Sequence, residues 1–133
     1  MTKFLALYVG EPTNGPPADM SQETMQAGMK AWGDWMQKNA GRITDEGGPV
    51  GRTKKVSRDG VTDIRNKVGG FVVIEAENAD EAAKLFEGHP HFTIFPGDAV
   101  EHFRIARYRF ADAPAEGQVS THQAPVSIAP VFE

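Results

Sequence analysis

A chain of 133 residues with 40% hydrophobic and 24% charged side chains has the composition of one soluble globular domain with room for a core. Fourteen Lys plus Arg against 18 Asp plus Glu give a net charge of -4 with no basic block, which argues against nucleic acid as the main partner. The absence of cysteine excludes disulfides, thiolate nucleophiles and Cys-ligated metals.

No apolar run approaches the roughly 20 residues needed to span a bilayer, so no membrane partner is expected. The N-terminus has no secretory signal pattern, and the expected compartment is the cytoplasm. The first element is a strand over Lys3–Val9. Leu5, Leu7 and Val9 lie on one face and Phe4, Ala6 and Tyr8 on the other. Both faces are apolar, so the strand is expected to be central and covered on both sides.

Gly10–Ala18, with Pro12, Pro16 and Pro17, reads as a loop. A long helix follows from about Met20 to Lys38, capped by Asp19 or Ser21. Met25, Met29, Trp32 and Met36 recur at helical spacing with Trp35 beside them. That stripe is expected to lie on the sheet, with Trp32 and Trp35 also able to wall a ligand cavity.

Arg42–Asp45 reads as a short extended piece and Glu46–Pro49 as a turn. Val50–Ser57 is the second predicted strand, Arg58-Asp59-Gly60 carries an Asp-Gly hairpin signal, and Val61–Lys67 is an extended edge or loop. The stretch around which the rest is organised is Gly69–Phe92. It comprises a strand to Ala76, a short helix capped by Asn78 or Asp80 and stopped at Gly88, and a loop bearing His89 and His91. Thr93–Asp98 reads as a loop, and Ala99–Phe110 as the last strand, with His102 and Arg104 side by side on one face.

The predicted domain covers residues 1–110. Residues 111–133, rich in Ala, Pro, Ser and Gln, are predicted to be a flexible tail or one draped on a neighbouring subunit. Strand, helix, strand or hairpin, strand, helix, strand is the order of an α+β ferredoxin-like sandwich. Such a sheet leaves one face open, and pairing two copies would cover it.

His89-x-His91 matches no metal motif, and no metal is expected there. The alternative is that the two rings cap backbone groups near Gly88, where the helix dipole favours a cation. A histidine–carboxylate pair built on His91 with Asp34, Asp45 or Asp98 would suit proton transfer. Arg104 beside His102 would suit an anionic or carbonyl ligand, or else a salt bridge. No P-loop, dinucleotide fingerprint or serine elbow is present, and no cofactor is expected.

Several of these stretches together resemble the YCII-related family, in its longer subgroup with an Asp-Gly-Pro-Phe-type signature. They are the opening strand, Trp32-x-x-Trp35-Met36, Asp45-Glu46-Gly47-Gly48-Pro49, Gly70–Ala76, Asp80-Glu81-Ala82 and the His89-Pro90-His91 loop. The resemblance covers about residues 1–108. It implies a ferredoxin-like subunit that forms a dimeric α+β barrel with a small ligand between sheet and loops. In some relatives it implies a His–Asp pair acting on ring compounds, as in dehydrochlorination.

The chain departs from that pattern at two places. Met29-Lys30-Ala31-Trp32 lacks the first-helix histidine of the pair, and His89-Pro90-His91-Phe92 replaces the acidic residue before Pro-Phe. Any activity would therefore use other residues. The leading reading is a homodimeric barrel that binds a small organic molecule in an apolar cleft, with acid–base turnover as a further step. His91 is its candidate proton carrier with His89 beside it, and Trp32, Trp35, His102 and Arg104 are the candidate ligand-binding residues. The alternative is a non-catalytic regulatory or interaction protein.

Overall fold

A computed structural model describes residues 1–12 and 20–106. The predicted tail, the end of the last predicted strand and most of the first loop lie outside them. Four antiparallel strands form the main sheet: β1 (Thr2–Val9), β2 (Ile43–Pro49), β5 (Val68–Ala76) and β6 (Ala99–Arg104), in the order β2-β5-β1-β6. A separate two-stranded hairpin, β3 (Thr53–Ser57) and β4 (Gly60–Ile64), is inserted between β2 and β5. The helices α1 (Gln22–Lys38) and α2 (Ala79–Phe86) supply the two crossovers, and a short helical turn, α3 (Pro90–Thr93), precedes β6. Each crossover skips one strand, which is the split arrangement of a ferredoxin-like α+β sandwich.

Alternation on the central strands decides where the core sits. Phe4, Ala6 and Tyr8 of β1 and Val72, Ile74 and Ala76 of β5 are buried beneath the helices together with Trp35, Ala82 and Phe86. Full burial of a side chain such as Phe4 or Ile74 contributes about 1.5–3 kcal/mol. Leu5, Leu7, Val9, Phe71 and Val73 turn to the other face and are only half-buried, and Phe103 there is 50% exposed. Thus β1 is central but, within one subunit, covered on one side only. Among the described residues no helix is long and apolar enough to cross a membrane.

Ser21 is the cap of α1, its Oγ accepting the Thr24 N–H at 3.1 Å. The buried edge of the helix is rotated from the predicted methionine stripe. Gly28 and Trp35 are buried, Met25, Trp32 and Met36 are half-buried, and Met29 is 63% exposed. The reason is close approach: a side chain at Gly28 would strike the Phe95 ring, so the helix turns this bare position inward.

The predicted turn at Glu46–Pro49 is instead the second half of β2, paired with β5 through two register shifts. Gly47, at φ 63°, takes the bulge, and the Asp45 carboxylate accepts its N–H at 2.8 Å. The second predicted strand is confined to Thr53–Ser57, and the Asp-Gly hairpin forms as expected, with Gly60 at φ 121°. Asn78, not Asp80, caps α2, and Gly88 at φ 71° releases the chain after it.

Candidate functional site

The two histidines after α2 do not lie in a plain loop. His89 is the N-cap of α3, with Pro90 in its first turn, and its Nδ1 accepts the His91 backbone N–H at 2.9 Å. A nitrogen that accepts that bond carries no proton, so in the neutral ring the proton sits on Nε2. From there it is donated to the Tyr8 hydroxyl at 3.3 Å.

The His89 ring is fully buried among aromatic rings, with centroids 4.6 Å from both Trp32 and Trp35 and 5.1 Å from Tyr8. Burial, reinforced by the positive charge of a protonated His91, pushes its pKa down from 6.5 to about 4. His89 is therefore a neutral structural ring at pH 7, and the cation favoured by the helix dipole is not present. Burial also raises the Tyr8 phenol above its ordinary value, so it keeps its proton.

His91 is held differently. Its Nε2 meets the Val9 carbonyl at 2.9 Å, and because a carbonyl only accepts, Nε2 carries the proton. The same carbonyl accepts the Asp98 N–H at 2.9 Å. Gly97 packs flat against the ring, where a Cβ would overlap it, and donates its N–H to the His91 carbonyl at 2.9 Å. In the neutral tautomer Nδ1 is left as the acceptor, with no hydrogen-bond partner among the described residues.

Tyr8 and His91 have ring centroids 5.3 Å apart, and both line an open cleft of about 1300 Å³. Its walls are the loop after β1, the stems of the hairpin and the Phe95–Gly97 turn. The Tyr8 oxygen accepts from His89, which leaves its own O–H free to donate to another acceptor.

The remaining candidates are distributed around this point. Trp32 bridges Tyr8 and His89 at centroid distances of 4.8 and 4.6 Å, behind the cleft rather than on its surface. Trp35 stacks on Phe86 and donates its indole N–H to the Leu85 carbonyl at 2.8 Å, as a core residue does. His102 and Arg104 share a face of β6, opposite Ala6 and Phe4. That position is away from Val9 and the cleft, by about 10 Å along β1 from Ala6. His102 donates to the Ala79 carbonyl at 3.2 Å, at the start of α2.

None of Asp34, Asp45 and Asp98 is hydrogen-bonded to the His91 ring. Asp34 pairs with Lys30 at 3.0 Å, and Asp45 serves the β2 bulge. Among the described residues no three His, Asp or Glu side chains converge as metal ligands. Tyr8, which lines the cleft beside His91, is not among the candidates that the sequence singles out. The available signal was a polar-tipped residue near the end of an otherwise apolar strand, just before Gly10.

No protein-family model matches the chain, and no curated protein is significantly similar to it. Among solved structures it is similar to a 5-chloro-2-hydroxyhydroquinone dehydrochlorinase from Burkholderia phenoliruptrix, in complex with 2,5-dihydroxybenzoquinone. Identity is 21%, the match covers 78% of this chain and 93% of that one, and the TM-score is 0.49. The likeness concerns the course of the backbone alone.

Proposed function

We infer that this is a YCII-related, dimeric-barrel protein that binds a small organic molecule in the Tyr8–His91 cleft and moves a proton on it. The observation that carries this reading is the fixed tautomer of His91, which faces the cleft wall beside a phenol that keeps its proton. A donor and an acceptor held side by side suit a carbonyl compound. Tyr8 O–H would bond to the oxygen, and His91 Nδ1 would take a proton from the neighbouring carbon or hydroxyl. His89 contributes by position only, since its ring fixes both the His91 backbone and the orientation of Tyr8.

Closure of the site belongs to the same reading. The half-open apolar sheet face of Leu5, Leu7, Val73 and Phe103 is the surface that a second copy would cover.

Native mass spectrometry of gently purified protein tests the reading. The expected result is a dimer carrying a small-molecule adduct whose occupancy falls in His91→Gln, while the circular dichroism spectrum is unchanged. A monomer, or an adduct indifferent to His91, would overturn it.

A further inference from the structure

We propose that the cleft selects a small organic anion, a carboxylate, and that Arg52 and Arg65 hold its charged end. The proposal rests on the reading of the cleft as a ligand site and adds the class of ligand. The chain as a whole is acidic, at -4, yet the cleft is lined by Arg52, Lys54, Arg65 and Lys67 against Glu11 and Asp63. Both carboxylates are engaged: Asp63 with Lys54 at 2.7 Å and Glu11 with Lys67 at 3.6 Å. That leaves the two guanidiniums without an ion pair among the described residues.

Their placement adds to the argument. The β3–β4 ladder begins with Thr53 opposite Ile64 and continues with Lys54 opposite Asp63. Arg52 precedes Thr53 and Arg65 follows Ile64, so both lie where the ladder ends, next to the Lys54–Asp63 pair. Like charges brought close together repel, and an anion between them relieves the repulsion. At this end of the hairpin three cations, Arg52, Lys54 and Arg65, meet one carboxylate, Asp63, so a single bound anion removes most of the imbalance.

Guanidinium groups offer a planar fork of N–H donors that matches a carboxylate in two parallel bonds. A ligand held at that end would present its other end to Tyr8 and His91 on the same cleft.

Matched pairs of small compounds test this: benzoate against benzamide, and phenylacetate against phenylacetamide. Each is titrated into isotope-labelled full-length protein while the His91 and Tyr8 resonances are followed. The acids are expected to shift those resonances and to bind about tenfold more tightly than the amides, the worth of a charge-assisted bidentate contact. The double variant Arg52→Gln/Arg65→Gln should bring the acids down to the amides and leave the amides unchanged. A charge-matched control, Lys38→Gln/Lys84→Gln, should change neither.

Equal binding of acids and amides at His91 would overturn the anion selection and leave the cleft reading standing. Acid binding that survives in the double variant, or falls equally in the control, would overturn the assignment to these two arginines. If no compound moved His91 or Tyr8, both readings would fall together.

Discussion

The burial of His89 makes a quantitative prediction about acid stability. The ring is fully buried, and its pKa is lowered from 6.5 to about 4 by desolvation and by the nearby His91. Between those two values the unfolded chain binds a proton that the folded chain refuses, so unfolding becomes easier as the pH falls. The contribution is fully present above pH 6.5, is lost progressively towards pH 4 and levels off below it. With about 1.4 kcal/mol per pKa unit, the full loss is about 3 kcal/mol, and by pH 5 about 2 kcal/mol. That is a large share of the 5–15 kcal/mol typical of a domain.

The perturbation is His89→Asn, which keeps a cap acceptor for the His91 N–H and cannot ionise. Urea unfolding is followed by tryptophan fluorescence at pH 7.5 and pH 5, because Trp32 and Trp35 both touch the ring. The substitution will lower stability at both pH values through lost packing, but the wild type should lose about 2 kcal/mol more than the variant between them. Equal losses would refute the argument, since they would mean that the folded ring accepts its proton as readily as the unfolded one.

Further outcomes follow from neighbouring contacts. Tyr8→Phe leaves the buried His89 Nε2–H without its partner and should cost about 1–3 kcal/mol, read as a lower urea midpoint with an unchanged slope. Gly97→Ala places a methyl on the His91 ring and should free it from the Val9 carbonyl, seen as loss of the fixed tautomer in long-range nitrogen–proton NMR spectra. Gly47→Ala combines a positive φ with overlap on the Phe71 carbonyl, and should destabilise by more than about 2 kcal/mol in thermal unfolding. For the dimer proposed above, Phe103→Glu, at a half-exposed position on the open sheet face, should shift sedimentation to the monomer with little change in secondary structure, and sedimentation indifferent to it would refute pairing through that face.

The sequence made some of this legible and hid the rest for identifiable reasons. The strands and α2 are local objects. A run such as Gly70–Ala76, a cap such as Asn78 and a left-handed stop such as Gly88 act within a few residues, so their pattern is visible in the chain. The buried face of α1 departs from the methionine stripe because hydrophobic periodicity gives glycine no weight. Gly28 is nevertheless the point of closest approach, and it carries Met29 outward. Glu46–Pro49 looked like a turn because Gly-Gly-Pro normally signals one, while the pairing that makes it a bulged strand comes from β5, more than 20 residues away. Tyr8 and His89 are separated by 81 positions, and nothing local marks them as partners.

His89 shows how magnitudes decide between two readings that the sequence allows. A histidine just after a helix is favoured as a cation by the helix dipole, by about 0.3–1 kcal/mol at an exposed site. Enclosure by Tyr8, Trp32, Trp35 and Phe86 opposes the cation with a desolvation cost several times larger, and the neutral ring wins. The same enclosure sets the two histidines apart. The ring of His89 is sealed off and engages Tyr8 and the His91 backbone, whereas His91 is anchored to the Val9 carbonyl on the cleft wall, with Nδ1 unbonded among the described residues. Burial and backbone anchoring, and not residue type, separate the two histidines.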